Sequence, residues 1–174
     1  MSQATCESAE AVRLHLCEVF SPGLVVYFEP GISKEDSIRQ LVLTLAEHGK
    51  LPVRAVEEVI ADVLRREMLG TTAMGRGMAF PHARTSVVDR SRGIVGVSTA
   101  GIEFGALDGM PTRLLFLLLS PAESRIGHLQ ILGRLAKLLG DRTIQYTVQI
   151  PRTPEQLTEF LGLSSPWQEV DDSV

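Results

Sequence analysis

The chain predicts an α/β sandwich around a mixed β-sheet, and three observations carry the prediction. The run "LLFLLL" (Leu114–Leu119) is far too short to span a bilayer and reads as a buried strand. Two earlier stretches repeat apolar residues at helical spacing, so helices precede the strongest strands and another helix follows them. That order argues against a strict βαβ wind and for a mixed sheet. The 174 residues fit one domain with a core two or three layers deep.

Residues 1–13 lack a sustained pattern and read as an extension or one frayed helix. "SPGLVVYFEPG" has turn residues at both ends of an apolar centre, which predicts a first strand over Leu24–Phe28. Ser33 and Asp36 form a capping-box pattern with Asp in place of Glu. Ile38, Leu41, Val42 and Leu45 then follow at helical spacing, and Gly49 lies where a C-terminal cap belongs. A second helix is predicted from about Val53, with Val56, Val59, Ile60, Val63 and Leu64 on one face and its end before Gly70. Gly70, Gly75 and Gly77 punctuate the approach to Met78–Phe80. "GIVGVSTAGI" and "TRLLFLLLS" read as strands, separated by turn chemistry at Asp108-Gly109. "SRIGHLQILGRLAKLLGD" is predicted helical, with Ile126, Leu129, Leu132, Leu135, Ala136 and Leu139 inward and a stop at Gly140. Thr153, Pro154 and Gln156 open a last short helix, and the polar tail "SSPWQEVDDSV" follows.

Composition excludes some functions. A net charge of -4 argues against a general nucleic-acid or anionic-membrane binder, which would carry a basic excess. The N-terminus lacks the basic start and apolar core of a secretory signal, so Cys6 and Cys17 are expected as reduced thiols and the cytoplasm is the expected location.

Several motifs are weighed against plainer readings. "GTTAMGRG" lacks the Gly-Lys-Ser/Thr ending of a nucleotide-binding loop, so its glycines read as turn residues whose N–H groups can still face an anion. "GVSTAG" misses the nucleophile elbow by one glycine and reads as buried strand. His82 and His128 are too few for a metal site, and no metal or cofactor is expected. His82 has a distinctive setting: Pro81 cannot donate a backbone hydrogen bond and restricts Phe80 to an extended conformation, so the strand should stop there. Arg84 follows two residues later, Arg66 ends the preceding helix, and Thr71 and Thr72 offer hydroxyls between them. A neutral imidazole is nucleophilic near neutral pH, and guanidinium groups match phosphate oxygens, so this set suits the capture of a phosphoryl group.

At "RREMLGTTAMGRGMAFPHAR" and "GHLQILGRLAKLL" the chain resembles the IIA domain of the fructose/mannitol class of the bacterial phosphoenolpyruvate-dependent sugar phosphotransferase system. That class includes the nitrogen-regulatory IIA proteins. The likeness runs from about Leu14 to Gly162, and the Arg-Glu, Gly-x-Thr, Gly-x-Gly and Pro-His elements recur in order. It implies a three-layer α/β/α sandwich and a domain over 14–162, with an extension (1–13) and a tail (163–174) outside it. It makes His82 the phosphorylated residue, gives Arg66 the phosphoryl charge, and sets His128 to orient or polarise His82. Thr72 maps to the threonine of a Gly-Ser-Thr element, with Thr71 replacing the serine. Arg84 is expected as a phosphate contact or part of the docking rim, where Pro-His-Gly-Lys often stands in the family.

The implied partners are the histidine phosphocarrier protein as donor and a IIB domain as acceptor. Histidine-to-histidine transfer needs no bound Mg²⁺. The alternative is a regulator whose His82 phosphorylation state controls partner binding, and the lack of a fused transporter or IIB segment leans toward that or a stand-alone carrier. A pure binding module, as in the cytoplasmic domain of anion exchangers, is disfavoured by Arg66, His82 and His128 together. The docking surface is expected to be apolar around the cleft, drawing on Phe80, Met74 and Met78 unless these are core.

Overall fold

The computed structural model describes residues 19–140. The extension 1–13, Cys6, Cys17, the short helix expected from Thr153 and the tail 163–174 lie outside the described residues. The elements in chain order are β1 (Phe20–Tyr27), α1 (Lys34–Glu47), a 3₁₀ turn (Val53–Ala55), α2 (Val56–Met68), β2 (Ala73–Gly75), β3 (Met78–Ala79), β4 (His82–Thr85), β5 (Arg92–Ile102), β6 (Thr112–Pro121) and α3 (Arg125–Leu139).

The sheet runs β1-β5-β6-β3-β2, and β4 also pairs with β6. β5 and β6 are antiparallel, whereas β1 on β5 and both β3 and β4 on β6 are parallel, so the sheet is mixed as expected. β1 begins earlier than Leu24: Phe20 pairs with Gly93 before the register shifts, and Val25 pairs with Val95. Pro22 lies in that shift, between the paired positions, where no ladder hydrogen bond needs its missing N–H.

The apolar run of β6 decides the layering. Leu115, Leu117 and Leu119 pack with α1 and α2, through Ile38, Leu41, Leu45, Val59, Ile60 and Val63. Leu114, Phe116 and Leu118 point the other way, to Phe20, Phe80, Val95 and Val97, where Leu135 and Leu139 of α3 cover them. Strand alternation thus buries β6 on both faces, and the architecture is α/β/α. Gly96 shows how tightly the first layer fits: a Cβ there would lie 2.3 Å from the Phe28 ring and 3.3 Å from Leu41.

Local signals act as their chemistry predicts in α1. Ser33 Oγ accepts the Asp36 N–H at 3.0 Å and donates its proton to the Asp36 carboxylate at 2.7 Å. The glycine-dense segment is a hairpin between β2 and β3, with Arg76 and Gly77 at φ 54° and 76° as its two central residues. The anion its backbone meets is a side chain: the Arg76 N–H donates to Asp108 Oδ2 at 2.6 Å.

In α3 the expected inward face needs correction. Leu135 and Leu139 are buried, but Ile126 and Leu129 are 74% and 67% exposed. His128 takes the inward position of the first turn, so its apolar neighbours fall outside. Among the described residues no helix is long and apolar enough to cross a membrane.

Candidate functional site

The break between β3 and β4 creates the site. Phe80 and Pro81 leave the strand, and the chain resumes beside the same β6 at His82, which registers with Leu118. The strand therefore pauses at Pro81 rather than stopping, because Pro81 lacks an N–H while its carbonyl still accepts the Leu118 N–H at 3.0 Å. Across the pause the Phe80 carbonyl turns back to the His82 ring, 2.7 Å from Nδ1. Strand alternation then sends His82 and Arg84 to the side opposite buried Ala83.

Arg66 reaches the ring from the last turn of α2. Its Nε donates to His82 Nε2 at 3.1 Å, while Nη1 donates to the Gly70 carbonyl at 3.1 Å. A carbonyl can only accept and a guanidinium can only donate, so the two contacts agree on one tautomer. His82 carries its proton on Nδ1 and keeps the Nε2 lone pair. The resemblance sets His128 to orient or polarise His82; the Nδ1 hydrogen bond of His82 goes instead to the Phe80 carbonyl.

His128 comes from α3, with its ring centroid 5.1 Å from that of His82 and the planes inclined at 55°. It is buried, and its Nδ1 lies 3.0 Å from Ser120 Oγ. Arg66, His82, Arg84 and His128 line one cleft of about 460 Å³, with Leu69 and the ion-paired Asp62 and Arg65 at its edge. Arg84 donates to the Ala122 carbonyl at 3.0 Å. Burial lowers the His82 pKa, the Phe80 hydrogen bond opposes this, and the Arg66 charge adds to it. His128 is pushed down to about 4, first by burial and then by the charges of His82, Arg84 and Arg66. Two neutral imidazoles thus face a cationic cleft.

The structure does not bring Thr71 and Thr72 into this cleft. The Thr71 hydroxyl donates to the Phe104 carbonyl at 3.0 Å and accepts the Ala73 N–H at 3.2 Å. Thr72 is buried against Glu67, its N–H and hydroxyl both donating to that carboxylate. Glu67 also pairs with Lys34 at 2.8 Å. Burial raises the Glu67 pKa, but the hydrogen bonds from Lys34 and Thr72 outweigh it and the carboxyl sits below its ordinary value. This buried clamp anchors the helix end that carries Arg66. Among the described residues, no three of His, Cys, Asp and Glu gather as metal ligands.

The sequence gives no role to the Phe80 carbonyl or Ser120, and Glu67 enters there only as the second residue of the Arg-Glu element. A backbone carbonyl leaves no trace in residue pattern. Ser120 was visible only as the polar residue closing an apolar run, which reads as the end of a strand.

Residues 18–162 match the family described as "Phosphoenolpyruvate-dependent sugar phosphotransferase system, EIIA 2". A nitrogen regulatory protein of Bradyrhizobium diazoefficiens is 36% identical over 131 residues, 75% of this chain and 84% of that protein. The fructose-specific EIIA component of Haloferax volcanii is 35% identical over 116 residues, 67% of this chain and 74% of that one. The fold is also that of enzyme IIAMTL in its complex with phosphorylated enzyme IIBMTL from Escherichia coli, at a TM-score of 0.65 and 21% identity over 83% of this chain and 99% of that one. The chain belongs to the EIIA 2 family of the phosphoenolpyruvate-dependent sugar phosphotransferase system.

Proposed function

We propose that this protein carries a phosphoryl group on Nε2 of His82, received from the histidine phosphocarrier protein and passed to a IIB domain in the cytoplasm. The observation that carries the reading is the orientation of the ring, with Nδ1–H on the Phe80 carbonyl and the Nε2 lone pair on the cleft side beside Arg66. In the transfer, the lone pair forms a bond to phosphorus as the donor's P–N bond breaks, and that electron pair stays on the donor ring. Both rings keep the proton on their other nitrogen. The Phe80 carbonyl favours the positive charge that spreads over the His82 ring, and Arg66 exchanges its contact with Nε2 for one with a phosphoryl oxygen. Arg84 adds charge at the same cleft. Positioning and charge suffice for this chemistry.

Exposed apolar residues suit the docking of a partner. Leu69 at the cleft edge is 83% exposed, and Ile126 and Leu129 flank His128 in the chain. Phe80 and Met78, expected at this surface, are buried core, and Met74 is exposed on β2. A second reading, a regulator whose phosphorylation state sets partner binding, is favoured by the 36% identity to a nitrogen regulatory protein.

The test is incubation with phosphoenolpyruvate, the first enzyme of the system and the phosphocarrier, followed by assay of acid-labile phosphate. Wild type should be labelled and His82→Ala should not. Label surviving the substitution, or an unlabelled wild type with active donors, overturns the carrier reading. Pull-downs with both phospho-states separate carrier from regulator: a IIB acceptor that removes the label supports the carrier, and a partner held by one state without transfer supports the regulator.

A further inference from the structure

His128 has one ring nitrogen against Ser120 and its other edge at the cleft. Which nitrogen bears the proton decides whether the neutral ring can donate to a phosphoryl oxygen, and the hydroxyls behind it bear on that choice. Ser120 is fully buried near the end of β6, in register with Arg84 of β4. Its Oγ lies 3.0 Å from His128 Nδ1 and takes the Ser91 hydroxyl at 3.3 Å. A serine hydroxyl has one proton to give. With Ser91 donating to it, the Ser120 proton has Nδ1 as its acceptor. Were Nδ1 protonated, Ser120 would have to accept from it and turn its own proton to Ser91, which reverses that contact and takes from the Ser91 hydroxyl its buried acceptor.

We propose that Ser120, held by Ser91, is a positioning residue that keeps neutral His128 as its Nε2–H tautomer, with that N–H available to the cleft where His82 takes the phosphoryl group. The inference rests on the carrier reading for its purpose but not for its measurement. The chain Ser91–Ser120–His128 leaves the ring a hydrogen-bond donor, whereas the Phe80 carbonyl leaves His82 a nucleophile. The two adjacent imidazoles thus hold opposite tautomers for opposite tasks.

The decisive measurement is the ¹⁵N NMR signature of the two His128 ring nitrogens at neutral pH, in wild type and in Ser120→Ala. Wild type should show Nε2 protonated and Nδ1 bare, and the variant should show mixed tautomers. Phosphoryl transfer from the phosphocarrier should slow about tenfold in Ser120→Ala, the loss expected of one hydrogen bond at the site. Ser120→Thr, which keeps the hydroxyl, should restore both. Circular dichroism and the thermal midpoint check that Ser120→Ala folds; if it does not, Ser91→Ala, at a partly buried position, should shift the tautomers in the same direction. A wild-type His128 protonated at Nδ1, or tautomers unchanged in the folded variant, overturns the proposal. If wild type takes no phosphate at all, the carrier reading fails while the NMR result still decides this one.

Discussion

Arg66 Nε lies 3.1 Å from His82 Nε2, although the two are sixteen positions apart in the chain with a helix end and a hairpin between them. That contact joins the charge needed by a phosphoryl group to the atom that would bear it. Arg66→Gln should reduce phosphoryl transfer to His82 by roughly 10²–10³, the range seen when one charge-stabilising donor is removed from an active site. Arg66→Lys should recover part of the rate, since an ammonium supplies charge without the planar fork. Quench-flow measurement of acid-labile phosphate checks both, and rates equal to wild type would refute the assignment.

His128 should make the protein acid-sensitive in a defined window. Its pKa falls from an ordinary 6.5 to about 4 on folding, so the folded state binds fewer protons than the unfolded state between those values. Stability from this group is whole above the unfolded value, drains as pH falls toward about 4, and changes little below that. The loss is on the order of 2 kcal/mol, allowing for incomplete burial. Urea titrations across the window should show a flatter pH dependence for His128→Gln than for wild type.

Glu67 is expected to matter for the fold as well as the site. Glu67→Gln keeps the shape but removes the charge that accepts from Lys34 and Thr72. A loss of about 2–3 kcal/mol should follow, in the range of charge-assisted hydrogen bonds. The wild-type contribution is present above the unfolded carboxylate value and is lost as pH falls through the lower folded value. Denaturation midpoints of wild type and variant should therefore converge in acid.

Two glycines offer opposite outcomes. Gly96→Ala would press a methyl group into the Phe28 ring and should destabilise by about 1–3 kcal/mol. Gly133, in α3, has nothing within 4 Å of its would-be Cβ, so Gly133→Ala should stabilise by up to about 1 kcal/mol. Thermal unfolding of the two variants compares a close approach with a helix position that needs no glycine.

The sequence by itself determined the elements whose causes are local. The faces of α1 and α2, the Ser33 cap, the two long strands and the mixed sheet were legible because periodicity and capping act over a few residues. The Pro-His dipeptide already marked His82, and the ordered motifs around it marked the family. Only the tertiary structure decided the rest. The first turn of α3 was misread because a polar His128 occupies the buried stripe, where counting apolar residues cannot place it. Thr71 and Thr72 sat near enough in sequence to serve the phosphoryl group, yet Phe104 and Glu67, brought in by folding, took their hydroxyls. Which His82 nitrogen keeps its lone pair fell to a backbone carbonyl at Phe80 and a guanidinium from another element. Such contacts are set by how the layers pack, and a linear pattern does not encode the directions in which lone pairs point.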